Sequence, residues 1–204
     1  PLIDIFERKG VAYSIKGADF TFFSSRIIND LRDISALAYN GCDSEAFMNV
    51  YYKISTYLSK ADAEKACRIS GRTGDSIIDA ALSVAGLGMS AVQGCRNAKN
   101  LLQRLTEVDA AEAIDIIRSD LGYDRYLERM KMKNSKLRAV RAVAENESSL
   151  KSLMHRLDEL WDISREGSSH ESPDMILSTV HASKGLEYDT VYLIDAYNGI
   201  LPEK

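Results

Sequence analysis

DMILSTVHASKGLEYDTVYLIDAYNGILP, running from Asp174 to Pro202, is the stretch on which the fold turns. Two apolar, β-branched runs, Met175 to Val180 and Thr190 to Ile194, bracket a polar loop that carries His181, Ser183, Lys184, Gly185 and Glu187. Neither run has the strict alternation of a half-wet strand, and each is only five or six residues long, so both read as buried parallel strands. In open parallel sheets the loops at the carboxyl ends of strands line the ligand crevice, and function therefore falls to this loop. Its His and Lys supply donors, its Gly a close backbone approach and its Glu an acceptor. Taken singly these residues describe a solvated turn; as an ordered set they describe a site.

Around this stretch, composition sets the bounds. The 204 residues are 45% hydrophobic and 27% charged, which suits an ordinary globular chain with room for a real core and two packing units. No apolar run approaches the ~18 residues of a membrane span, so no membrane is expected as a partner. PLIDIFERKG lacks the basic start and apolar core of a secretion signal. Cys42, Cys67 and Cys95 are odd in number and widely spaced, which suggests neither a disulfide framework nor a zinc site and fits a reducing cytoplasm. The formal net charge is −4, whereas a self-sufficient nucleic-acid binder usually carries a basic balance, so any such binding has to be local or shared with other parts of a larger protein.

Helical signals fill most of the chain upstream. Leu2, Ile5 and Phe6 predict a short amphipathic helix closed by Gly10, followed by a strand over Val11 to Lys16. Ile27, Ile28, Leu31, Ile34 and Leu37 make one face of a helix capped at Ser24 or Ser25. A further helix over about Asp43 to Ile54 buries Phe47, Val50 and Tyr51. Residues 59 to 165 hold no proline and read as almost wholly helical, punctuated by glycines. Asp109 with Glu112 resembles a capping box, Gly122 suits a C-terminal cap, and Leu150, Leu153, Met154, Leu157, Leu160 and Trp161 form a core stripe after Ser148 or Ser149. Arg165 to Pro173, REGSSHESP, is the linker signal. His155 and His170 have no partner cluster in sequence and read as ordinary surface or core residues.

The run TVHASKGLEYDTVYLID, Thr179 to Asp195, with its ending at Gly199, Leu201 and Pro202, closely resembles a motif of the superfamily 1 DNA helicases of the UvrD, Rep and PcrA kind. IDIFERKGVAYSIKG resembles the opening of that family's second motor lobe, so the chain is expected to begin inside a fold. FTFFSSRIINDL resembles its paired-Phe segment, with Phe22, Phe23, Ile28 and Asp30 matching. Ser25 stands where the family usually has Arg, and Ile27 replaces an acidic residue. Phe22 and Phe23 are expected in the core. Ser55-Thr56-Tyr57-Leu58-Ser59 stands where the family carries an Arg-Gly-Ile-Gly turn that meets duplex phosphates; without glycine that contact is not carried over.

The resemblance implies a predominantly α fold with a small α/β part, a partial RecA-like parallel-sheet lobe carrying an inserted helical subdomain. The expected division is 1–58 for part of the motor lobe, 59–168 for the insert and 169–204 for the return to the lobe. It implies that Thr179 and His181 face DNA phosphate and that Gly185 and Glu187 lie on the ribose side of ATP. Arg125, Arg129, Lys131, Lys133, Lys136, Arg138 and Arg141 against the single acid Glu128 form either a duplex footprint, led by Lys133, Lys136 and Arg138, or a solvated helical face. No GxxxxGK[ST] occurs, so no catalytic residue is assigned and the chain is expected to be an inactive fragment. Its parent would be an ATP-dependent DNA helicase that uses ATP and Mg²⁺, translocates 3′ to 5′ on single-stranded DNA and unwinds duplex. The alternatives are a non-catalytic module whose helical insert binds a protein partner or regulates a motor, and a part of a helicase–nuclease repair or recombination enzyme.

Overall fold

The apolar offsets at the N-terminus produce helix α1 (Leu2–Lys9), and Gly10 closes it in the left-handed conformation at φ +62°. In the computed structural model, which describes residues 1–17, 20–166 and 175–194, nine more helices follow. They are α2 (Arg26–Tyr39), α3 (Ser44–Val50), α4 (Lys60–Thr73), α5 (Ile77–Leu82), α6 (Met89–Arg104), α7 (Ala110–Ser119), α8 (Tyr123–Arg129), α9 (Ser135–Ala144) and α10 (Leu150–Glu166). Two three-residue strands, β1 (Ser14–Lys16) and β2 (Ile176–Ser178), complete the set, so the fold is predominantly α with a small α/β part. None of the described helices is long and apolar enough to cross a membrane.

Local chemistry sets several helix starts. Asp43 accepts from the Ala46 amide at 3.0 Å, and Asp109 accepts from the Glu112 amide at 2.8 Å. Ser149 and Ser152 cap each other reciprocally, each hydroxyl accepting from the other's amide at 3.1 and 3.2 Å, which fixes the start of α10. Ser25 occupies the cap position of α2 without a side-chain cap bond, and its buried Oγ has no hydrogen-bond partner among the described residues. Gly122 does not close α7, which ends at Ser119; it opens α8 at φ +82°.

One apolar core joins these helices. It runs without a break from Ile27 and Ile28 on α2, through Phe47, Ile77, Cys95 and Ile114, to Leu153 and Leu157 on α10. The stripe read from the sequence on α10 is the one buried, with Leu150, Leu153 and Leu157 fully enclosed. Phe23 meets Phe22 and Trp161 edge to face at 5.1 and 5.5 Å, so the aromatic pair, expected in the core, is partly buried and packs against its edge. Such contacts contribute about 0.5–1.5 kcal/mol each beyond their buried area. Ion pairs tie α1 to α10: Asp4, 2% exposed, accepts from Arg8 at 3.1 Å and from Arg156 at 2.7 Å.

The sheet departs from the sequence reading in extent. β1 and β2 are parallel, in the register Ser14↔Ile176, Ile15↔Leu177 and Lys16↔Ser178. Parallel pairing was expected; burial was not met, since Met175 is 39% exposed and Val180 64%. Thr190 to Val191 and on to Ile194 form no strand, and Val191 to Ile194 are all more than half exposed. A β-branched run becomes a buried strand only when an edge is available to bond it and layers cover both faces. Among the described residues no third strand offers that edge to 190–194. The linker signal beyond Glu166, including His170, and the motif ending at Asp195, Gly199, Leu201 and Pro202 lie outside the described residues.

Candidate functional site

Thr179, the first residue after β2, caps the loop that follows. Its Oγ1 accepts from the Ala182 amide at 3.2 Å, while its carbonyl accepts from the Ser183 amide at 3.1 Å. Ser183 Oγ donates to the Val180 carbonyl at 3.0 Å, and the Leu186 amide donates to the Ser183 carbonyl at 3.0 Å. The loop is therefore one helical turn, capped at its start by a threonine and ended by Gly185 at φ +80°. A hydroxyl that accepts still has a proton to donate, so capping does not remove Thr179 as a donor outward. His181, Lys184, Gly185 and Glu187 are all exposed on this turn. The structure thus gathers four residues named from the sequence, Thr179, His181, Gly185 and Glu187, at the carboxyl end of a parallel strand.

The turn lies against a residue the sequence reading passed over. Gly17 follows β1 at φ +67°, and a Cβ built there would stand 2.5 Å from the Cβ of Ala182 and 3.5 Å from Thr179 Oγ1. A glycine directly after a strand is the only signal that could have marked it.

The basic run does not form one face. Lys133 and Arg138 line a hollow of about 520 Å³ between α8 and α9, shared with the acids Asp124 and Glu128. Lys136 instead donates to the Thr21 carbonyl at 3.0 Å, and Arg141 pairs with Asp115 at 3.0 Å. Arg125 donates to Ser55 Oγ at 3.3 Å, and Arg129 lies over the Tyr126 ring at 5.8 Å. Of the three residues named from this run, the structure brings Lys133 and Arg138 together and gives Lys136 an internal partner.

A second feature is built around the turn after α3. Ser55 and Tyr57 adopt φ of +55° and +56°, so a left-handed turn forms here without glycine. Neighbours hold it in place. A Cβ at Gly94 would stand 2.5 Å from the Ser55 carbonyl oxygen, and one at Gly122 would collide with Ser55 Oγ. Such strain persists only where the surroundings over-determine it. Tyr57, 61% exposed, is presented beside Gln93, Asn97 and Arg125 around a hollow of about 660 Å³. Just before the turn, Lys53 donates to Asp30 at 2.6 Å, with both side chains about 5% exposed or less. Tyr123 donates to the other Asp30 oxygen at 2.6 Å. Burial, with the Asp30 carboxylate beside it, holds the Tyr123 phenol well above its ordinary range. Sequence reading missed this triad because its members are 23 and 93 positions apart.

Among the described residues no three His, Cys, Asp or Glu side chains converge as they would around a metal ion. An exposed Glu187 beside an open glycine fits one edge of a hydroxyl-bearing ligand and no more.

Residues 2–204 match the family model described as the UvrD-like helicase C-terminal domain. The chain is 25% identical to the ATP-dependent DNA helicase Rep of Buchnera aphidicola over 97% of its own length and 34% of that protein. It is 22% identical to the putative ATP-dependent DNA helicase YjcD of Bacillus subtilis, over 97% of this chain and 27% of the relative. With the Rep helicase of Escherichia coli the identity is 25%, over 95% and 32% respectively. The chain spans about a third of the length of these curated relatives.

Proposed function

Because the chain belongs to the UvrD-like helicase C-terminal domain family, we propose that it is the part of an ATP-dependent DNA helicase in which the DNA-contacting and nucleotide-contacting ends of one loop are joined. In this reading residues 1–58 and 169–204 belong to a RecA-like motor lobe, and 59–168 form its helical insert. The parent protein translocates 3′ to 5′ along single-stranded DNA and separates duplex ahead of it. Hydrolysis of ATP, with Mg²⁺ held by residues elsewhere in that protein, supplies the free energy for movement.

The observation that carries the reading is the Thr179-capped turn at the end of β2. The Thr179 hydroxyl and the His181 imidazole donate to DNA phosphate at its entry, where backbone contacts position the strand without reading sequence. Gly185 permits the bend at its exit, and Glu187 accepts from a ribose hydroxyl of ATP. Hydrogen bonds link residues across 179–186 into one turn, so a shift imposed at His181 is expected to move Glu187, the residue that follows the turn. Coupling of this kind is reciprocal and is typically ~1–3 kcal/mol. Lys133 and Arg138 are the positions on the helical layer suited to duplex DNA.

The test is ATP affinity of the full-length protein with and without oligonucleotide. Glu187→Ala is expected to weaken ATP binding and His181→Ala to weaken single-strand binding, each blunting stimulation of ATP hydrolysis by DNA. Both side chains are exposed, so the fold is expected to survive. Folded variants with unchanged affinities and full stimulation would reduce the loop to a connection.

A further inference from the structure

The register of the two strands decides what the site loop rests on. Lys16 pairs with Ser178, so the chain leaves both strands at the same level and on the same side of the sheet. The residue after Lys16 is Gly17 and the residue after Ser178 is Thr179, the loop's own cap. A Cβ at Gly17 would lie 2.5 Å from the Ala182 Cβ, closer than side-chain carbons approach each other, and 3.5 Å from the capping Oγ1 of Thr179. The capping bond runs from the Ala182 amide to that oxygen, so displacing Ala182 acts directly on the cap.

We propose that Gly17 is a positioning residue for the site loop: its missing side chain lets the β1 exit approach Ala182, and this contact sets where the turn holds His181 and Glu187. The proposal rests on the reading of that loop as the DNA- and ATP-contacting element. Two properties of Gly17 are separable. One is its backbone, φ +67°, which any L side chain resists; the other is space. Gly10 shares the first property without the second, since it has φ +62° and nothing within 4 Å of an added Cβ. Gly185 is likewise open around its Cβ, so its role is conformational alone. Gly17 differs from both in touching the loop.

These differences define the experiment, made in the full-length protein with Gly17→Ala, Gly10→Ala, Ala182→Gly and the Gly17→Ala/Ala182→Gly pair. Oligonucleotide affinity is read by fluorescence anisotropy, loop order by the rate of tryptic cleavage after Lys184 under native conditions, and stability by thermal melting. Misplacement by about an ångström near reacting or binding groups costs up to ~100-fold, so Gly17→Ala is expected to weaken oligonucleotide binding by about tenfold and to speed cleavage after Lys184. Ala182→Gly alone is expected to stay near the wild type. In the paired variant the missing Ala182 methyl returns the space, and both readouts are expected to recover although the φ strain remains. Gly10→Ala is expected to lower the melting temperature as Gly17→Ala does and to leave both loop readouts unchanged. The proposal is overturned if Gly17→Ala alters neither cleavage nor binding, if Gly10→Ala reproduces its effects, or if the pair shows no recovery. His181→Ala in the same assay separates the two readings. Normal binding by His181→Ala together with cleavage that moves and recovers would remove the DNA assignment and keep Gly17 as the residue that positions the turn.

Discussion

Replacing Asp30 with alanine isolates the energetic weight of the buried polar triad. In the folded chain the Lys53 ammonium lies 2.6 Å from Asp30 Oδ1 and is 5% exposed, and Tyr123 donates to Asp30 Oδ2. Removing the carboxylate leaves an enclosed cation and a buried phenol without their acceptor. Breaking a buried pair from one side costs about 3–5 kcal/mol, and the orphaned hydroxyl adds about 1 kcal/mol or more. Against this, the rings of Tyr52 and Tyr126 lie 5.1 and 5.8 Å from Lys53 Nζ and retain an attraction of up to about 2 kcal/mol. The net expectation is a loss of about 2–4 kcal/mol, a large share of the stability of a domain this size. Urea unfolding of the 204-residue chain measures it, with an unchanged m-value required for the comparison. The double replacement Asp30→Leu/Lys53→Met removes both charges. Apolar substitution of a buried pair is near neutral or stabilising, so the double variant should be more stable than Asp30→Ala. A loss under about 1 kcal/mol for Asp30→Ala, or a double variant less stable than Asp30→Ala, would refute the reasoning.

Two further outcomes follow from the helical layer. In the full-length protein, replacing Lys133 and Arg138 with alanine is expected to weaken duplex binding and to flatten its salt dependence by up to about one unit of slope for each phosphate no longer neutralised, whereas Lys136→Ala, whose ammonium serves Thr21, should lower thermal stability and leave the slope alone. Anisotropy titrations across salt concentrations decide it, and an unchanged slope for the pair would make the hollow a solvated face. Tyr57→Gly removes left-handed strain of about 1–3 kcal/mol and adds unfolded-chain entropy of about 0.5–1 kcal/mol, so a net gain of about 1 kcal/mol in urea unfolding is expected. A net loss would mean that the exposed ring contributes packing beyond what its exposure suggests.

What the sequence disclosed depended on how local the cause was. Gly10, Asp43, Asp109 and Ser149 end or start helices through atoms within four residues of themselves, and each was readable. The α10 stripe was readable too, because periodicity reports which face prefers burial. The same preference misled at Thr190 to Ile194, since a β-branched run states an affinity for a sheet and cannot state whether an edge is there to receive it. The left-handed turn at Ser55–Tyr57 was hidden by its composition, being enforced from outside by Gly94 and Gly122. Charge counting placed seven basic residues together, yet α8, the following turn and α9 send them to different neighbours. The loop residues Thr179, His181, Gly185 and Glu187 were singled out by the resemblance of their run to the helicase motif, and the structure puts them on one turn. Gly17 was not, because its importance is a distance to Ala182 that no window of sequence contains.

The pairing of β1 with β2 also says when the site can exist. Its partners, Ser14 and Ile176, are about 160 residues apart, four doublings beyond a ten-residue loop, which adds about 2.4 kcal/mol of closure entropy. A ladder of three residues on each side cannot offset that in an otherwise unfolded chain. The helices between them have to assemble first and shorten the gap, after which the strands meet and the Thr179 turn settles on Gly17. The expected order of assembly follows from this: the helices that bring β1 and β2 together form before the Thr179 turn settles beside Gly17.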